Sequence, residues 1–242
     1  MTKTDATLTK VRKLLTLAEN PAATPAESEA FTAKATQIMA DYGIDQALLA
    51  GSSPDRHSIG ERVVRFNAPY ARDKCSLVCS IAHVMRCKAV ILGSDLSLSV
   101  HLFGLESDLV CVEMLTTSLL LQGTRELAVT PVPRHENVAA YRRSWWAGFS
   151  GAIGRRLAEQ QRGSIHAAEE RLADSGTSVA LVLADRTHEA EAAMLKAYPN
   201  LRNAPRRRLT GGGAKDGYLS GQRADLGTGN GLDQRSSGEL TG

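Results

Sequence analysis

Thr24-Pro25-Ala26-Glu27-Ser28-Glu29-Ala30-Phe31, continuing through Ala35, Ile38, Met39 and Tyr42 to Gly43-Ile44, is the stretch on which the fold turns. Thr24 is an N-cap residue. Pro25 suits the first helical position, where its missing N–H would have no partner, and Glu27 stands three residues after the cap, completing a capping box. Phe31, Ala35, Ile38, Met39 and Tyr42 recur at helical spacing, and Gly43 followed by apolar Ile44 predicts a left-handed stop. Upstream, Leu8, Val11, Leu15 and Ala18, widened by Leu14, make a second stripe over a predicted helix from Thr7 to Glu19, which Asn20-Pro21-Ala22-Ala23 ends. Two amphipathic helices on a short loop must bury their stripes on each other or on a second domain. Residues 1–50 therefore read as a helical hairpin.

Downstream, Gly51-Ser52-Ser53-Pro54-Asp55 opens a linker over 51–59. Arg62 to Phe66 reads as a short strand and Lys74 to Arg86 as a helix. Ala89-Val90-Ile91-Leu92, the turn Gly93-Ser94-Asp95 and the alternating arm Leu96, Leu98, Val100, Leu102 read as a β-hairpin. Helices are predicted over Ser107 to Leu127, Glu136 to Gln161 (with Trp146, Phe149, Ile153 and Leu157 on one face) and Thr187 to Tyr198. Val179-Ala180-Leu181-Val182-Leu183 reads as a short buried strand, and Gly217 to Leu226 as a short helix. The expected architecture is α+β: the hairpin, then a mixed domain over 60–200 with about four strands and four to five helices, then a basic, Gly-rich tail over 201–242, disordered from Thr228.

Charge sharpens this division. Residues 1–50 carry a net charge of −1 and residues 51–200 a net +1, so the excess of +3 over 201–242, which also holds 10 of the 21 glycines, sets the overall balance. A basic pI is often a nucleic-acid signature, but here it belongs to the tail. Four cysteines in 242 residues make no disulfide scaffold, so a reducing, cytoplasmic setting is expected. Met1-Thr2-Lys3-Thr4-Asp5 lacks the apolar core of a secretory leader. The most apolar run, Leu109 to Leu121, is 13 residues long and contains Glu113, too short for a bilayer.

In the hairpin, Lys10-Val11-Arg12-Lys13-Leu14-Leu15-Thr16-Leu17-Ala18-Glu19, Glu27-Ser28-Glu29-Ala30, Ala33-Lys34-Ala35 and Met39-Ala40-Asp41-Tyr42-Gly43-Ile44 together resemble a family of bacteria and phages known as domain of unknown function number 2786. Phe103-Gly104 with Asp108-Leu109-Val110, Arg143-Ser144-Trp145-Trp146-Ala147-Gly148, Ala180-Leu181-Val182-Leu183, Tyr198-Pro199-Asn200-Leu201 and Gly217-Tyr218 with Gly221 are similar to that family's usual C-terminal partner domain. The resemblance covers roughly residues 7–228. It implies the two-part organisation and a phage or bacterial origin, and it carries no known activity.

Chemistry-bearing patterns are few. Cys75, Cys79, His83 and Cys87 recur every four residues, but a helix rises about 1.5 Å per residue, so the outer two lie too far apart to share an ion. Buried small-hydrophobe cysteines account for them better, and no metal or cofactor is expected. Cys79 with His83 has the spacing of a nucleophile pair but lacks an orienting acid. Gly148-Phe149-Ser150-Gly151 is no nucleophile elbow, and Gly211-Gly212-Gly213-Ala214-Lys215-Asp216 is no phosphate loop, since Asp216 stands where a Ser or Thr would bind Mg²⁺. Asp185, His188 and Glu191 begin a helix, where acids favour the dipole. The candidate nucleic-acid contacts are Arg202, Arg206, Arg207 and Arg208 in the tail, and Lys10, Arg12 and Lys13 on the first helix. The leading expectation is a non-catalytic accessory or interaction protein with a protein partner and no membrane. The alternatives are weak, sequence-tolerant nucleic-acid binding and a metal-dependent enzyme.

Overall fold

The capping box at Thr24 closes as its spacing demands. The Glu27 N–H donates to Thr24 Oγ1 at 3.3 Å, and the Thr24 N–H donates back to Glu27 Oε2 at 2.9 Å. Those bonds hold the Glu27 carboxyl below its usual range. The structure, a computed structural model, describes residues 3–18, 20, 22, 24–51, 59–94, 97–173, 178–202 and 207–224. Helix α1 spans Lys3–Ala18 and α2 spans Pro25–Gly51. On α1 the expected stripe is buried at Val11, Leu15 and Ala18, and on α2 at Ala35, Met39 and Tyr42.

Gly43 does not end α2, which continues two turns further to Gly51. Tertiary packing overrides the local stop signal here. A Cβ on Gly43 would meet Arg86 Nη2 at 2.8 Å and Asp108 Oδ1 at 3.3 Å, so this glycine is a close-approach residue rather than a terminator. Ile44, expected just beyond the helix, lies inside it and packs with Ala168, Val179 and Leu183 in a buried apolar cluster. The chain divides into two compact units within α2: Met39–Ala224 is one, and Met1–Ile38 falls in the other.

In the larger unit, strands β1 (Ile59–Asn67), β2 (Lys88–Ser94) and β3 (Ser97–Leu105) form an antiparallel sheet in the order β1-β3-β2. The expected hairpin is β2–β3, and Gly93 turns with φ +108°, a conformation that disfavours a side chain. One face carries buried Leu98, Val100 and Leu102; helices α3 (Ala71–Val84) and α4 (Glu106–Val129) pack on the sheet, with Leu77, Val78, Ile81, Leu109, Val112 and Leu115 buried. The pairs Glu61–Phe103, Val63–His101 and Lys88–Phe103 lie on the opposite face. The long helix α5 (Val138–Arg171) runs ten residues past its expected end and buries Trp145, Trp146, Phe149, Ile153 and Leu157. Its cap is Asn137, whose Oδ1 accepts from the Ala140 N–H at 3.0 Å.

One expectation is corrected. The described sheet has three strands, not four, because Val179–Leu183 is the start of helix α6 (Val179–Ala197). Val179 and Leu183 are buried while Leu181 is 67% exposed, the helical i, i+4 pattern rather than a strand's alternation. Ser178 and Glu169 supply the start: Ser178 Oγ accepts from the Leu181 N–H, and Glu169 Oε1 accepts from the Ala180 N–H at 2.8 Å.

The short helix expected near Gly217 is present, shifted three residues toward the N-terminus, and its described glycines are packed: helix α7 (Ala214–Arg223) lies against α5 so closely that a Cβ on Gly217 would fall 1.9 Å from the Trp145 carbonyl oxygen, and one on Gly148 1.9 Å from that of Ala214. The Gly212 N–H donates to the Glu136 carboxylate, Tyr141 Oη donates to Asp216, and the Arg156 guanidinium donates to the carbonyls of Gly221 and Ala224 at the end of α7. The expected linker residues 52–58, Arg206 and everything beyond Ala224 lie outside the described residues. No described helix is long and apolar enough to cross a membrane.

Candidate functional site

The basic candidates separate into different local settings. Lys10, Arg12 and Lys13 are exposed along α1, and Arg202 and Arg208 are exposed in the larger unit. Arg207 is anchored rather than free: its Nη1 donates to Asp73 Oδ1 at 2.8 Å, and Asp73 is buried in the first turn of α3. The sequence offers Arg207 as part of a flexible arm; the structure uses it to satisfy a buried carboxylate, which sequence periodicity does not reveal.

The four-residue Cys/His recurrence comes apart. Cys75 and Cys87 are buried, Cys79 is half-buried, His83 is exposed, and Cys87 falls beyond the end of α3. Burial pushes the Cys75 thiol up to about 11 and those of Cys79 and Cys111 to about 12, and raises Cys87 further still. At neutral pH these are thiols rather than thiolates, without the charge that a nucleophile or ligand needs. Among the described residues no group of three or more His, Cys, Asp or Glu side chains is placed to hold a metal ion.

Two constellations that sequence reading missed are built by the tertiary fold. On the sheet face opposite Leu98, Val100 and Leu102, His101 Nδ1 lies 2.7 Å from Tyr198 Oη and His101 Nε2 lies 3.1 Å from Glu61 Oε2. Since an ionised carboxylate only accepts, Nε2 is the nitrogen that donates to Glu61, and Nδ1 faces the Tyr198 hydroxyl. Phe103 closes the cluster, with its ring edge-on to Tyr198. Alongside, Lys88 Nζ lies 3.0 Å from Glu191 Oε2, which holds that carboxyl below its usual range. The period of two in β3 puts His101 on this face; its partners come from β1 and the end of α6.

The second constellation is interior. Asp108, in the first turn of α4, receives Arg186 Nη2 at 3.2 Å on one oxygen and faces Arg86 Nη2 at 3.6 Å with the other. All three side chains are at least nine-tenths buried. Arg186 Nη1 also donates to the Gly43 carbonyl at 2.8 Å, and Arg86 Nη1 to Gln161 Oε1 at 3.0 Å. Burial pushes the Asp108 carboxyl up, against the pull of both guanidiniums, and pushes Arg186 down. Arg86 Nε and Nη2 and Arg186 Nε reach no hydrogen-bond acceptor. Arg86 itself has φ 62°, a left-handed turn after α3 that brings its side chain inward.

Residues 6–46 match the model of a family described as a protein of unknown function, DUF2786, a stretch that takes in most of α1 and of α2. No curated protein and no solved structure matches the chain.

Proposed function

We propose that this chain is a non-catalytic accessory protein of bacterial or phage type, acting in the cytoplasm by offering a surface to a protein partner. The observation that carries this reading is the edge strand β1. Among the described residues its nine positions pair only with β3, and Val63 at its centre is 46% exposed between Glu61 and Arg65. A long strand with an unpaired edge is a template for an added strand, and an exposed β-branched residue there gives an incoming chain an apolar contact. The raised Cys79 thiol supports the same reading, since an activated nucleophile needs a lowered one. We further read residues 1–50 as a hairpin domain, 51–59 as a linker, 60–200 as the α+β domain and 201–242 as its basic extension.

The test is complementation of a deletion in the native host. Cys79→Ala and His83→Ala should rescue fully, whereas Val63→Asp should not, with far-UV circular dichroism showing all three folded. Loss of rescue in folded Cys79→Ala or His83→Ala would overturn the proposal.

A second reading, weak nucleic-acid binding, draws on Arg207: its bond to Asp73 holds it against α3, whose first turn also carries Arg72 and Lys74. It predicts salt-sensitive retardation of duplex DNA. Deleting residues 202–242 would strip α7 from α5, so the informative variants are Arg202→Glu and Arg208→Glu. Unchanged retardation in the double variant rejects this surface.

A further inference from the structure

The interior cluster of Arg86, Asp108 and Arg186 contains more positive charge and more donors than the described residues satisfy. Two guanidiniums face one carboxylate, so even with Asp108 fully ionised the buried cluster keeps a surplus of one positive charge. The other groups given as acting electrostatically on this cluster do not cancel it. Cys87 and Cys111 remain thiols, and Glu189 on α6 is exposed. Uncompensated buried charge is costly, and each orphaned donor adds its own desolvation penalty. Two such donors, Arg86 Nε and Arg186 Nε, belong to these two side chains, and Arg86 Nη2 meets Asp108 only at ion-pair distance, 3.6 Å. The first turn of α4 is also here. Its N-cap, Leu105, has no side chain to accept from the exposed N–H groups, so the helix end adds positive potential.

We propose that Arg86 and Arg186 bind one small monovalent anion of chloride size beside Asp108. Monovalence follows from the charge: one negative charge brings the cluster to neutrality, whereas a dianion would replace a buried surplus of one sign by a surplus of the other. A bound water would satisfy donors without touching the charge. Gly43 belongs to the site by omission, since a side chain there would press on both Arg86 and Asp108. The anion is a structural counter-ion. It holds together the guanidinium that grips the Gly43 carbonyl of α2 and the one that grips Gln161 of α5. Because only the folded chain assembles both arginines, anion concentration and stability are linked by mass action.

The experiment is thermal unfolding of the full chain at fixed ionic strength while chloride is exchanged for gluconate, which is too large to enter the interior. A saturable rise in Tm with chloride, reproduced by bromide, is expected. Arg86→Gln removes the surplus charge and should abolish that rise. Asp108→Asn adds to the surplus, so it should shift the response to lower chloride. Crystals grown in bromide should show an anomalous peak between the two guanidiniums, a readout that holds even if Asp108→Asn does not fold. Equal Tm in chloride and gluconate overturns the proposal. So does a chloride response unchanged in Arg86→Gln, or the absence of the bromide peak at saturating bromide.

Discussion

The start of α2 and the glycine-rich run from Gly211 to Arg223 are both rich in residues that break or begin helices, yet they are specified in opposite ways. At Thr24 the capping bonds are local: donor and acceptor sit three residues apart, and the segment supplies its own partners. In α7 every decisive contact is distant in sequence. Gly217 exists to let the α5 backbone approach, Asp216 is held by Tyr141, and the last carbonyls are capped by Arg156. A local signal is legible from one segment; a close-packed glycine looks the same as a flexible one until its neighbour is known.

The severest challenge to this contrast is Gly217→Val. Its side chain would overlap the Trp145 carbonyl, so a loss of about 3 kcal/mol or more is expected in urea unfolding. A flexible tail would tolerate the change, and a loss below about 0.5 kcal/mol would contradict the docked helix. Arg156→Met removes charge-assisted bonds to two carbonyls at the end of α7 and should cost about 2 kcal/mol, with hydrogen exchange accelerating in α7 before the rest of α5.

Alkaline pH separates the two regions without mutation. All four cysteines lie in Met39–Ala224 and none in residues 1–38. Folding raises their thiols, to about 11 for Cys75 and about 12 for Cys79 and Cys111, from an unfolded value of about 8.5. Below the unfolded value both states keep their protons and this contribution is complete. As pH rises toward the folded values only the unfolded chain loses protons, and stability falls. The Tm reported by Trp145 and Trp146 fluorescence should therefore drop between about pH 9 and 11, and drop less in Cys79→Ala. Thr24→Ala should cost about 1 kcal/mol, read as lost hydrogen-exchange protection at the start of α2. The smallest effect has the opposite sign. Gly151 and Gly163 sit in α5 with nothing within 4 Å of where a Cβ would stand, so either changed to Ala should stabilise by about 0.5–1 kcal/mol in the same urea unfolding measurement.

Much of the fold was legible because its determinants are periodic. The stripe of Val11, Leu15 and Ala18, the β2–β3 hairpin and the tryptophan face of α5 are buried where their spacing placed them. Val179–Leu183 misled because a short apolar run has no distinguishing period at that length; the arbiter was Glu169, upstream on α5, accepting from the Ser178 hydroxyl and the Ala180 backbone N–H at the start of the new helix. Gly43 misled for the converse reason: its stop signal was overruled by Arg86 and Asp108, whose side chains occupy the space a Cβ would need. Of the candidate sites, only the side of β3 on which His101 lies could be read from alternation. Tyr198 and Glu61 come from other elements.

The order of amino acids dictated, for most segments, which become helices or strands and which faces turn inward, since periodicity and capping act within a few residues. It took the assembled fold to make an interface of the glycines of α7, to set Arg207 against Asp73, and to bring Arg86 and Arg186 together on Asp108. Those outcomes depend on distances between residues remote in the chain, and buried charge and close backbone contact acquire their energies only when folding brings such residues together and removes water from between them.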